Sequence, residues 1–158
     1  MTVVQTDPEQ ARAYLRESRE LSTALGYQSA RDLVWAAEIA LLLNDRPATL
    51  ELGRSAIRGL RWGGDRLRMG ITLHILAGTL AATWPDAAAI ILGSAEAHVL
   101  VSARTAQQIN STVAAALGEE HARELRARGA DMDWDQAVAY TLTQTTQALN
   151  ELQSGTQP

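Results

Sequence analysis

The sequence predicts an all-α fold, a right-handed array of about seven or eight helices arranged as repeating helix pairs. Three observations lead there. The internal prolines Pro8, Pro47 and Pro85 are spaced by 39 and 38 residues. Small or apolar residues follow each of them in phase. No segment alternates apolar and polar residues as a half-buried strand does.

Proline suits the first helical turn, where its missing N–H would have no intrahelical acceptor. The spacing therefore predicts helix starts at DPEQARAYLRES, RPATLELGRSAI and PDAAAIILGSAE. Ala11, Leu15 and Ser18, then Thr49, Gly53 and Ala56, then Ala88, Leu92 and Ala95 follow at i, i+4, i+7. Each set forms one helix face that sits close against a neighbour. Gly26 and Gly64, also 38 residues apart, mark the breaks before two long apolar helices. Helices are predicted at 8–25, 29–44, 47–61, 65–83, 86–101, 103–117, 119–128 and 134–152. Asp133 is the expected N-cap of the last one, with Asp135 in its first turn. The tail QSGTQP is polar and expected to fray. This gives one domain over 1–152 and a flexible tail at 153–158. A period of this size in helix pairs is close to that of tetratricopeptide and HEAT-type arrays.

Composition narrows the function classes. The chain has 158 residues, 46% of them apolar, enough for one globular domain with a sizeable core. A net charge of -4 offers no general attraction to nucleic acid or anionic membrane. There is no cysteine, which removes disulfides, thiolate metal sites and cysteine nucleophiles. There is also no lysine, so a Walker-type phosphate lysine, a Schiff base and a lysine base are excluded. The N-terminus MTVVQTDPEQ lacks the basic and apolar regions of a signal peptide. The apolar runs LVWAAEIALLL and ITLHILAGTLAA fall short of the ~20 residues that span a bilayer. A soluble, cytoplasmic protein is expected.

RGLRWGGDRLRMG, Arg58 to Gly70, places four arginines around a double glycine. It matches neither GxGxxG nor GxxxxGK[ST], so a turn between helices is expected rather than a phosphate cradle. Glycine there supplies the positive φ that ends a helix.

These segments resemble the degenerate tetratricopeptide-like region at the C-terminus of actinobacterial ATPase-type regulators. Those proteins join a signalling ATPase to LuxR-type DNA-binding or adenylate-cyclase domains. The likeness is carried by DPEQARAYLRESRELSTALGY, by AAAIILGSAEAHV and by AALGEEHARELRARGADMDWDQAVAYTL. Their counterparts are an alanine-rich helix ending in a leucine-glycine turn, an LGAAEA-like helix and a closing LGE element. LVSARTAQQINSTVA departs from that pattern, being shorter and without proline. The resemblance implies a helical sensor or interaction region belonging to a regulator of signalling or transcription.

Candidate chemistry is sparse. DMDWDQAVAYTL begins like a calcium loop, but Gln136 stands where the turn glycine belongs and Leu142 where a bidentate glutamate belongs. An acidic helix start accounts for its aspartates, and no metal or other cofactor is expected. His74, His98 and His121 form no HExxH pair, and no GxSxG elbow occurs. The chain is expected to bind rather than to catalyse. Its most function-like cluster is Arg58, Arg61, Trp62, Arg66 and Arg68 beside Arg54, with His74 on the following helix. Arginine and tryptophan together are typical of interaction hot spots. The plainer reading is a solvated helix end whose arginines pair with Asp65, Glu51 or preceding carbonyls. Trp35 and Trp84 are expected in the core.

The expected function is a non-catalytic regulatory or interaction module that binds a protein partner. The alternative is a small-molecule or nucleotide sensor, with Trp62, Arg66, Arg68 and His74 as its pocket. By phase the helix at Pro8 is the second of a pair, so its outer side, with Tyr14, Leu21 and Leu25, lacks a cover. That surface is expected to pair with a second copy as a homodimer.

Overall fold

A computed structural model describes residues 7–25, 29–99 and 103–155 of the chain. They form eight helices and, among the described residues, no strand. The helices are α1 (Pro8–Leu25), α2 (Ala30–Leu42), α3 (Arg46–Gly63), α4 (Arg66–Leu80), α5 (Pro85–His98), α6 (Ala103–Leu117), α7 (Glu119–Ala130) and α8 (Trp134–Ser154). The chain is all-α, as its patterning predicts. Boundaries fall within three residues of the expected ones. The largest shifts are at the ends of α4 and α5, and α8 runs on through Gln153 and Ser154.

Pro8 and Pro85 open their helices, and Pro47 is the second residue of α3. All three thus occupy a first turn, as their spacing requires. Short polar side chains do the rest of the capping. Ser29 accepts from the Asp32 N–H at 3.1 Å and Asp45 from the Ala48 N–H at 3.1 Å. Asp133 and Gln136 form a reciprocal capping box at 2.8 and 3.0 Å, so this aspartate starts a helix. Gly64 ends α3 in the left-handed region at φ +66°, which a residue with a Cβ rarely adopts. Gly26, its expected counterpart one repeat earlier, lies outside the described residues.

The core is organised around α4 and α5. On α5 every residue from Ala87 to Ala95 is buried, and on α4 nearly every residue from Met69 to Leu80. A helix that is apolar all round must be covered all round. Helices α2 and α3 cover α4, while α6 and α7 cover α5. The in-phase faces meet their expectation: Thr49, Ala56, Ala88, Leu92 and Ala95 are fully buried. Ala11 is buried too, and Leu15 packs against the core at its edge. The side chain of Ser18 lies outside the described set.

Two close approaches set the geometry. A Cβ on Gly53 would stand 2.7 Å from Leu76 Cδ2, so α3 rests on α4 through a glycine notch. A Cβ on Gly93 would stand 2.0 Å from the Arg126 carbonyl oxygen, and one on Gly129 the same distance from that of Ile90. Helices α5 and α7 therefore cross backbone to backbone.

The last helix folds back. Its stripe Ala137, Val138, Thr141, Thr145, Ala148 and Leu149 is buried, and α8 packs on α3, α5 and α4. Thr141 donates to the Ala137 carbonyl at 2.8 Å, which disposes of its buried hydroxyl. The α8–α3 contact joins helices with α4 to α7 between them in the chain, whereas in a linear array each repeat touches only its neighbours.

One expectation fails inside this fold. Trp35 is 54% exposed, not in the core. Leu33, Val34, Ala36, Ala37 and Ala40 take the buried face of α2, and Trp35 falls on the opposite side of the helix. Trp84, half-buried, does pack against the core. Tyr14, expected on the open side of α1, is 59% exposed. The side chains of Leu21 and Leu25 lie outside the described set.

Candidate functional site

The turn between α3 and α4 carries the arginines that the sequence singles out. Arg58 and Arg61 are exposed on the last turns of α3. After Gly63 and Gly64 the Asp65 carboxylate caps α4, accepting from the Arg68 N–H at 3.0 Å. The Arg68 guanidinium also closes onto that carboxylate. The backbone bond from Arg68 and then its side-chain bond hold the Asp65 carboxyl below the ordinary carboxylate range. Arg68 is thus engaged in starting its own helix, as the plainer reading has it. The double glycine is a turn: Gly64 reverses the chain and Asp65 restarts it.

Arg66 points elsewhere. Its guanidinium carbon lies 6.0 Å from the ring centroid of Trp134, the first residue of α8. At that distance the cation still feels the ring's negative face. The His98 ring meets Trp134 edge-on, with centroids 5.1 Å apart and planes at 81°. His98 Nε2–H donates to the Met132 carbonyl at 3.0 Å, which fixes the imidazole against the α7–α8 turn. Three elements therefore converge: the start of α4, the end of α5 and the start of α8. Sequence reasoning passes over Trp134 and His98 because their partners are distant in the chain. The only local signals are a tryptophan directly after a capping aspartate and a histidine in a last helical turn.

His74 does not share this surface. It is only 3% exposed. Its Nδ1–H donates to the Gly70 carbonyl at 3.0 Å, which leaves Nε2 as a bare acceptor with no partner among the described residues. Burial lowers its pKa below the ordinary 6.5, against smaller opposing effects of the Gly70 bond and of Glu96. Glu96 itself is held by Arg126 across the α5–α7 crossing at 2.6 Å. The side chain of Trp62 lies outside the described set. Of the six sequence-predicted site residues, Arg58, Arg61 and Arg66 are exposed around the turn, Arg68 closes it, and His74 is buried within α4.

The buried imidazole gives a signed prediction. The unfolded chain takes up a proton at His74 near pH 6.5, while the folded chain resists it to lower pH. Stability is therefore expected to fall as the pH drops from about 6.5 toward the folded pKa. Urea unfolding at pH 7 and pH 5.5 is the measurement. His74→Gln should unfold with a smaller difference between the two conditions than the unsubstituted chain; an equal difference refutes the assignment.

A separate groove of about 510 Å³ runs between α1 and the α2–α3 turn, with Arg12, Arg16, Leu15 and Asp45 among its walls. Among the described residues no group of three or more histidines and carboxylates is placed to hold a metal ion. No described helix is long and apolar enough to cross a membrane. Comparison with protein-family models, with curated proteins and with solved structures gives no match.

Proposed function

We propose that the chain is a non-catalytic, tetratricopeptide-like interaction module, the sensor or protein-binding part of a bacterial regulator of signalling or transcription. The recurrence of helix pairs supports this reading. With the helix at Pro8 second in its pair, the pairs are α2 with α3, α4 with α5 and α6 with α7, and the two helices of each pack on one another. The observation that carries the binding role is the surface at the α3–α4 turn. Arg58, Arg61 and Arg66 are exposed there beside Leu67, which is 58% exposed. Exposed guanidinium groups around a large apolar side chain suit an acidic segment of a protein partner.

The alternative, a sensor for a nucleotide or other small anion, draws on the Arg66–Trp134 contact, which offers a cation beside an aromatic ring. Thermal shift separates the two. A ligand at about 100 times its Kd adds about 2.7 kcal/mol to stability, so a true nucleotide ligand raises the melting temperature visibly. The partner reading expects no such rise with millimolar nucleotides.

The direct test is Arg61→Ala combined with Arg66→Ala. Both positions are exposed, so the double variant should cost at most about 1 kcal/mol and keep its far-ultraviolet spectrum. It should release a polypeptide that the unsubstituted chain retains from an extract of its source cells. Retention of the same polypeptides by both proteins sinks the proposed surface.

A further inference from the structure

We propose that two copies of this chain associate through the outward stripe of α2, antiparallel about a two-fold axis near Trp35. The stripe consists of Arg31, Trp35, Glu38 and Leu42. Steps of four, three and four residues are those of a heptad seam, the spacing by which one helix lies along another. This line is the side of α2 opposite its buried residues Leu33, Ala37 and Ala40. Trp35 is 54% exposed and Leu42 50%, so two large apolar side chains stand on one helix line. A tryptophan flanked by charges is the usual make-up of an interface centre and its rim.

The order of the charges selects the occupant. Arg31 stands at one end of the stripe and Glu38 beyond the tryptophan. Among the described residues neither side chain has an ion-pair partner within the chain. A parallel copy would set arginine on arginine. An antiparallel copy sets the Arg31 end of each stripe over the Glu38 end of the other, so the attraction forms twice. Trp35 of one protomer then lies beside its partner's across the axis. Such a contact is isologous, the commonest symmetry of soluble dimers. A partner of one charge sign would gain at one end and lose at the other, whereas a second copy satisfies both. A 13-residue helix lies at the small end of stable interfaces, so association should be weak and concentration-dependent. This surface is separate from the α3–α4 turn, and either assignment can fail without the other.

Sedimentation velocity across low-micromolar to near-millimolar concentration tests it. The unsubstituted chain should shift from its 17.1 kDa monomer toward a dimer. Arg31→Glu alone and Glu38→Arg alone each bring like charges together and should raise the dissociation constant at least about tenfold. An equimolar mixture of these two variants presents two acidic groups against two basic ones and should recover association. Trp35→Ala should weaken it in every background, while Arg61→Ala with Arg66→Ala should leave it unchanged. Circular dichroism confirms that each variant is folded. A chain that stays monomeric throughout overturns the proposal, as does a dimer indifferent to the single charge reversals. A mixture that associates no better than its components overturns it as well.

Discussion

Gly129→Ala is expected to destabilise the chain by about 3 kcal/mol or more, through one added methyl group. The new Cβ would stand 2.0 Å from the Ile90 carbonyl oxygen and 2.8 Å from its carbon. Both atoms belong to the α5 backbone, which cannot swing aside as a flexible side chain can. Helices α5 and α7 must therefore separate, and every contact along their crossing loosens together. Helix propensity works in the opposite direction, since alanine is favoured over glycine in a helix by up to about 1 kcal/mol. The clash is the larger effect, and it decides the sign. Gly93→Ala should behave alike, because its Cβ would meet the Arg126 carbonyl oxygen at the same distance. The double variant should cost less than the sum, since one separation of the helices relieves both clashes. Gly63→Ala is the control. It lies in the last turn of α3 with nothing within 4 Å of a Cβ, and should be neutral or mildly stabilising. Urea unfolding of the four variants beside the unsubstituted chain settles the matter; a Gly129→Ala midpoint equal to that of the unsubstituted chain would contradict this crossing.

What could be read in the sequence was local. Prolines, the capping Asp133 and the glycine at position 64 act within a few residues of themselves, so they mark helix ends without reference to the packing. The α3–α4 turn was legible for the same reason: Asp65 caps and Arg68 pairs within one helical turn. Packing across the chain was legible only as a demand. The phase of Thr49, Gly53 and Ala56 says that a face is covered, and not that Leu76 covers it. Trp35 departs from its expected place because LVWAAEIALLL is apolar nearly all round, which leaves the exposed side undefined until neighbours are placed. The meeting of Arg66, Trp134 and His98 depends on three elements far apart in sequence, and no local pattern announces it. His74 follows the arginines closely in sequence, yet it turns into the helix packing and bonds to Gly70.

The second large effect concerns α8, whose return to α3 no repeat pattern foretold. A chain ended after Met132, and so lacking α8, is expected to lose its cooperative thermal transition. In a linear array a terminal helix touches only the adjacent unit, and its removal leaves a shorter stack that still melts sharply. Here α8 lies on α3, α4 and α5 at once, so its loss uncovers three helices together. Val138 and Leu149, 2% and 3% exposed, each contribute about 1.5–3 kcal/mol of burial. Together with the alanines and threonines of the same stripe, that is comparable to the ~5–15 kcal/mol that stabilises a typical domain. A full-length counterpart removes any doubt that truncation alone is at fault. Val138→Asp forces an unpaired carboxylate into the same contact and should cost about 3 kcal/mol or more. Both proteins should keep much of their helical signal while their melting broadens and dye-binding apolar surface appears. If the shortened chain melts as sharply as the full one, within a few degrees of it, α8 is an appended unit and the array is linear after all.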